Sequence, residues 1–333
     1  MTEQIQFWKS NWFRVTIGTL ISIVFLLLAL KDVPLDEVGR SLTRVNYFWV
    51  VLAMIVMIAQ SWLRAVRWIQ LYYPLQKGLH TFQMLAIVLI SQMLNIAIPW
   101  RVGEIARIYL AREIEKRNAA QTIATLAIEK FLDVLMLLAL LLMIPPFMTL
   151  PSWLEQPREG IVVSAIVLFV VAFILLLSED WLVKSVSKIP LPWGKQFISE
   201  NVRIALSGLD VFKRWDLHLG LQILSVVIWF LGVVVNYLAF LAMDLQLPFI
   251  SAFLLLAVLQ VGGLVPTSPG KVGVFQILCI WTLALFAVDK SIGLTYGILL
   301  YLIAYGTPVV LGVLFLWWGG VSLRAIANEP MSQ

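Results

Sequence analysis

Charge is the scarcest property of this sequence: 13% of its 333 residues are Asp, Glu, Lys or Arg and 61% are hydrophobic. A soluble domain carries about 25% charged residues, so the composition excludes a soluble globular chain. Cysteine is nearly absent too, and Cys279 on its own cannot close an internal disulfide. Two histidines and no HExxH pattern leave no basis for a zinc site, so no metal is expected. The stretch PTSPGKVGV at 266–274 imitates a phosphate loop. However, Val265 stands where the leading glycine belongs and Val272 where Ser or Thr would meet magnesium, so no nucleotide site follows. Neither a cofactor nor a catalytic group is expected. The formal charge of +5, from 24 basic and 19 acidic residues, suggests nucleic acid only if position is ignored, and no nucleic-acid partner is expected.

What the chain does have is long apolar runs. The first, Val15 to Leu30, lies between Lys9, Arg14 and Lys31, Asp32 and lacks a small-residue cleavage pattern, so it reads as a retained membrane helix. Tyr47 to Leu63, Ala119 to Ile144, Ile161 to Leu177, Leu217 to Met243 and Ile292 to Trp318 are each long enough to cross, which makes six full spans. Two further stretches, Thr81 to Ile98 and Phe249 to Val265, each meet a proline and resume after a glycine, as broken pairs. The expected fold is an all-α polytopic membrane protein, a single membrane domain over 1–333.

The breaks share a spacing: Pro99 and Gly103 in NIAIPWRVG, and Pro266 and Gly270 in GGLVPTSPG, are both four apart, and the offset between them is 167 residues. Each half therefore reads span, broken pair, span. This gives repeat 1 over 46–145 and repeat 2 over 217–318, with a cytoplasmic connector at 178–216. The halves come out inverted in the membrane, and inverted repeats with discontinuous helices are a transporter signature. If each pair is re-entrant, the N-terminus and loops 64–80, 99–118, 178–216 and 319–333 share a face with seventeen basic residues, against five opposite. The positive-inside rule then puts both termini in the cytoplasm, and the expected location is the cell inner membrane. Two ordinary crossings per pair give the same loop parity and stay open as the alternative.

Ionised side chains at membrane depth cost on the order of 2.5–3.5 kcal/mol each, so the ones retained are candidates for function. Arg64 and Arg67 end the second span, Glu104 and Arg107 follow the first break, and Glu129 and Asp133 share a helical face beside Lys130. With Arg101 and Lys271 the group holds six cations against three carboxylates, so a shared pocket would prefer an anion. Helices restarting near Gly103 and Gly270 would offer backbone N–H groups to it, with Ser268 as N-cap before Pro269. In this reading Glu104 orients Arg107. The alternatives are snorkelling for Arg64 and Arg67, and a structural ion pair of Glu129 and Asp133 with Lys130 or Arg107. Minor signals are an interfacial helix over 198–212, a GxxxG at Gly293 and Gly297 that suits helix packing, and interface tryptophans at 49, 62, 68, 100, 317 and 318.

Four blocks, RAVRW at 64–68, NIAIPWRVGEIARIYL at 95–110, EKFLD at 129–133 and PTSPGKVGVFQ at 266–276, resemble the transmembrane flippase domain of lysylphosphatidylglycerol synthases and its stand-alone relatives. The resemblance runs from about residue 10 to 320. It implies motif positions at Arg67, Asn95, Pro99, Gly103, Glu104, Arg107, Glu129, Asp133, Pro269, Gly270 and Gly273. This chain departs from the family at Gln276, where Glu is common, at Lys130 for Arg, and at Lys271 for a small residue, which makes the second break more positive. The synthases' soluble aminoacyl transferase domain has no counterpart here, so the chain is not expected to make aminoacylated lipid.

The expectation is a lipid translocase, not an enzyme, that moves an anionic-headgroup phospholipid, glycolipid or polyprenyl-phosphate-linked lipid. Its substrate-binding candidates are Arg64, Arg67, Asn95, Arg101, Gly103, Glu104, Arg107, Glu129, Asp133, Ser268, Gly270, Lys271 and Gln276. Expected partners are that lipid, a lipid-modifying synthase and a second copy of the chain. The alternatives are a membrane-embedded polyprenyl-phosphate glycosyltransferase using Asp32, Asp36 and Glu37, and a non-transporting partner of a lipid-modifying synthase. Orientation is testable by reporter fusion: a fluorescent protein placed after Gln333 is expected to fluoresce, and alkaline phosphatase at the same point to stay inactive.

Overall fold

A computed structural model of the chain describes residues 34–98, 102–144, 215–263 and 269–318, with a few positions at 26–28, 30, 160, 163 and 167. The expected spans 15–30 and 161–177 fall almost wholly outside the described residues. So do the helix 198–212 and Pro99, Trp100, Arg101, Pro266 and Ser268. No strand occurs among the described residues, and the chain is an all-α polytopic membrane protein.

In chain order the helices are α1 (Leu35–Thr43), α2 (Tyr47–Leu71), α3 (Thr81–Ala97), α4 (Val102–Glu115), α5 (Ala119–Met143), α6 (Trp215–Ala242), α7 (Phe249–Gly262), α8 (Val274–Ala284), α9 (Lys290–Tyr301) and α10 (Thr307–Trp318). Among the described residues, three stretches are apolar and long enough to cross a membrane: Tyr47–Leu71, Leu217–Ala242 and Lys290–Trp318. At 25 residues α5 is as long as α2, but it carries Glu129, Lys130 and Asp133. Lys290–Trp318 is interrupted by a π-helical turn at Leu302–Gly306, immediately before Pro308, which brings no N–H to the helical ladder.

The broken pairs are helical hairpins. With 14 residues in α7 and 11 in α8, neither reaches across a hydrocarbon core about 30 Å thick at about 1.5 Å per residue. Close return of the chain explains the glycines. A Cβ at Gly103 of α4 would strike the Ser91 carbonyl of α3 and sit 2.7 Å from the Asn95 carboxamide, and one at Gly262 of α7 would strike Leu278 of α8.

The described residues divide into two compact units. The first holds residues 34–59, 89–98, 102–103, 231–263 and 269–318; the second holds 60–88, 104–144 and 215–230. Each unit thus draws on both halves of the sequence. In the first, the hairpin tips meet: a Cβ at Gly270, where φ is +72°, would lie 2.7 Å from the Tyr301 hydroxyl and 3.8 Å from the Ile96 carbonyl. Tyr301 and Tyr305 stack at 4.7 Å across the π-helical turn, with the Phe275 ring edge-on to both. The GxxxG packs α9 onto α8, since Cβ atoms at Gly293 and Gly297 would each come within 3.2 Å of a Cα, of Ile280 and Gln276. Small residues allow this approach where lipid supplies no hydrophobic force between helices. The short helix α1 turns Val38 inward onto Ile277, Ile280 and Leu294, and keeps its Asp36–Arg40 ion pair on the exposed side.

Gly103→Val is expected to cost about 1–3 kcal/mol by forcing α4 off α3, read as a lower unfolding midpoint in detergent. Gly39→Ala, inside α1 with nothing within 4 Å, is expected to raise that midpoint slightly, by about 0.5–1 kcal/mol of helix propensity.

Candidate functional site

The second unit holds the charged residues, and helical spacing explains how they meet. On α5, Thr122, Thr125, Glu129 and Asp133 recur three or four apart and form one polar stripe in an otherwise apolar helix. On α2, Arg64 and Trp68 are four apart with Arg67 beside them, and Tyr72, just past the helix end, continues the spacing. The two stripes run antiparallel. The Tyr72 and Thr122 hydroxyls lie 2.9 Å apart, and the Trp68 indole N–H donates to Thr125 Oγ1 at 3.0 Å. Arg67 Nη2 donates to Asp133 Oδ1 at 2.9 Å and lies 3.7 Å from Glu129 Oε1, while Arg64 Nη1 lies 3.9 Å from Asp133 Oδ2.

Two more helices close the cluster. From α4, Arg107 Nη2 meets Glu129 Oε2 at 2.9 Å, and its guanidinium lies 3.7 Å over the Trp68 ring, a cation–π contact. From α6, Ser225 Oγ accepts from Arg67 Nη1 at 3.1 Å and the Trp229 indole N–H points to Asp133 at 3.5 Å. One turn along α2, Gln60 Nε2 donates to the Ile228 carbonyl at 2.6 Å. The result is an alternating ladder, Arg64–Asp133–Arg67–Glu129–Arg107, in which each carboxylate is shared by two arginines. Its middle is closed to solvent, with side-chain exposures of 0% for Arg67, 5% for Glu129 and 8% for Arg107, and its end opens at Arg64 and Asp133, 22% and 21% exposed. Beside the ladder, Lys130 Nζ and Glu104 Oε1 form a more exposed pair at 3.0 Å.

The sequence pattern of one family, the lysylphosphatidylglycerol synthase TM region, matches residues 15–312. The chain belongs to that family. Among similar curated proteins is the UPF0104 membrane protein MJ1595 of Methanocaldococcus jannaschii, 22% identical over 315 residues, covering 90% of this chain and 93% of the relative. Another is UPF0104 membrane protein MJ1078 of the same organism, 25% identical over 241 residues, covering 72% of this chain and 98% of the relative. No solved structure matches the chain.

For this member of the synthase TM family, several expectations change. Arg107 is held by Glu129, and Glu104 reaches Lys130 instead of orienting Arg107, because α4 turns Arg107 toward α2 and α5. Arg67 does not snorkel: it is fully buried among acceptors. Trp68, read as an interface anchor, is fully buried under Arg107, whereas Trp317 and Trp318 are 84% and 82% exposed, as anchors are. The remaining site candidates are placed as follows. Lys271 belongs to the first unit, where its Nζ donates to the Gly263 carbonyl at 3.3 Å, and Arg101 lies outside the described residues. The first unit also holds Asn95, Gly103, Gly270 and Gln276. There the Gln276 carboxamide accepts from the Gly273 N–H at 2.7 Å, so one donor expected to face a ligand is satisfied by the chain itself.

Sequence reasoning missed Gln60, Trp68, Tyr72, Thr122, Thr125, Ser225 and Trp229 as parts of the ladder. Thr122 and Thr125 could have been found, because they continue the Glu129–Asp133 periodicity by two turns. Ser225 and Trp229 carry no such signal. Replacing Glu129 or Arg107 alone by Leu is expected to destabilise by about 3–5 kcal/mol, and the double replacement by less than the sum. Unfolding midpoints in micelles measure both, and strictly additive losses would mean that the two groups are not coupled.

Proposed function

We propose that this protein carries lipids with an anionic headgroup across the inner membrane, with no covalent step. The observation that carries this reading is the ladder: three arginines to two carboxylates, buried among membrane helices and opening at its under-paired end, Arg64. Arg64 holds Asp133 at 3.9 Å only, so its planar fork retains capacity for oxygen acceptors. Asp133 then acts as a resident stand-in for the headgroup: an arriving anion takes its place at Arg64, and Asp133 stays with Arg67. Glu129 and Arg107 keep Arg67 in position from below. The acyl chains remain in lipid, so only the charged part of the substrate needs a polar path.

Membership of the synthase TM family supports a lipid as the substrate, and the two broken helix pairs support transport, since irregular backbone at membrane depth is tolerated where it lines a cavity. The distribution of basic loops supports cytoplasmic termini. Partners in this reading are the lipid, a synthase that supplies modified lipid, and a second copy of the chain.

In proteoliposomes, transbilayer movement of labelled anionic lipid is expected to exceed that in protein-free vesicles. Arg64→Ala is expected to lower the protein-dependent rate by about tenfold or more, the scale of one charge-assisted hydrogen bond, without lowering the unfolding midpoint. Equal rates with and without protein would remove this reading.

A further inference from the structure

The ladder also counts charge. Among the described residues of the second unit it holds Arg64, Arg67 and Arg107 against Glu129 and Asp133, and the Lys130–Glu104 pair beside it is neutral. The surplus is one positive charge, at the end where Arg64 and Asp133 are partly exposed. A buried assembly of ions is stable when its charges cancel, and an uncompensated charge in a poorly solvated place is heavily penalised. One negative charge arriving at Arg64 brings the group to neutrality; a second would be unpaired.

Geometry acts in the same direction. The acceptor at Arg64 has Asp133 as its neighbour, because Arg64 Nη1 and Asp133 Oδ2 are 3.9 Å apart. A phosphodiester offers two charged-face oxygens to the guanidinium fork and turns its ester oxygens elsewhere. A phosphomonoester dianion puts its additional charge against the Asp133 carboxylate, and like charges at such range repel. The charged groups that act on Arg64 are Asp133 and Glu129 from α5, Arg67 from α2 and Arg107 from α4, while α6 contributes the uncharged Ser225 and Trp229 beside Arg67 and Asp133.

We propose that the site selects lipids whose headgroup is a singly charged phosphodiester and discriminates against doubly charged phosphomonoesters. This rests on the translocase reading and narrows its substrate class: within phospholipids, glycolipids and polyprenyl-phosphate-linked lipids, those bearing a free terminal phosphate are poor substrates.

The test uses two acyl-labelled lipids that differ by one methyl group, phosphatidic acid and its phosphate methyl ester, in proteoliposomes of the full chain. Albumin back-extraction follows their movement, and protein-free vesicles supply the background. The second ionisation of a phosphomonoester lies near pH 6, so phosphatidic acid is mostly monoanionic at about pH 5 and mostly dianionic at about pH 8. The methyl ester stays monoanionic at both and corrects for titration of the protein. At about pH 8 the ester is expected to move about tenfold faster than the acid, and at about pH 5 within about twofold of it. Asp133→Asn adds one to the surplus and is expected to bring the ratio at about pH 8 below about twofold. Movement of both lipids at equal rates at both pH values overturns the charge count and leaves translocation standing, and so does a ratio unaltered in Asp133→Asn. Failure of either lipid to move above background overturns the translocase reading as well. Should Asp133→Asn not fold, the two lipids compared on the unaltered protein decide the matter alone.

Discussion

Glu129 is the group on which the second unit depends. It stands in the middle of α5 with its side chain 5% exposed, Arg107 at 2.9 Å on one side and Arg67 at 3.7 Å on the other. Each of these ions alone would oppose membrane insertion by about 2.5–3.5 kcal/mol. Together they are tolerable because every carboxylate oxygen faces a guanidinium and every guanidinium finds acceptors or an aromatic face. Pairing makes the charges admissible and also makes them binding: α2, α4 and α5 each supply an ion, so none of the three can shift without leaving a buried ion unmatched, and α6 adds the Ser225 acceptor. In lipid, where apolar surfaces gain little by leaving their solvent for one another, such polar contacts and close backbone packing hold helices together.

The first unit reaches the same end by different means. Its contacts are steric: at Gly103 an added side chain would strike backbone, at Gly262 it would displace Leu278, and at Gly293 and Gly297 it would crowd the facing helix. The meeting of Gly270 with the Ile96 carbonyl and the Tyr301 hydroxyl places both hairpin tips within a single compact body. Non-helical backbone at the second tip is made tenable by Gly270 and Gly273 at positive φ and by the Gln276 side chain, which takes up the Gly273 N–H. That side chain caps a helix where Glu is common in the family. The carboxamide oxygen performs the cap without a negative charge.

Long elements were legible in the sequence because a helix in lipid must be apolar for its whole length, and that constraint is written residue by residue. The boundaries of α3, α6 and α7 follow the apolar runs closely. The breaks were legible too, since a proline followed four residues later by a glycine marks where a helix stops and another begins. Pairings were not. Glu104 and Arg107 look like natural partners three apart on one helix, yet each is satisfied across a helix interface. Trp68 resembles a span-end anchor by position, and only the approach of α4 decides that it lies under a guanidinium.

Composition and spacing determined that the chain is a helical membrane protein, where its helices are interrupted, and which ionisable residues fall within or beside its apolar runs. These properties depend on neighbours within a turn or two, and the bilayer imposes them one segment at a time. Tertiary structure decided which charges meet. Arg67 reaches Asp133 across 66 residues and Ser225 across 158, whereas Lys271 lies in another unit altogether. A net charge assigned to a site from sequence counts residues by type, but what a site can neutralise depends on distances of 3 or 4 Å, and those exist only once the helices have packed.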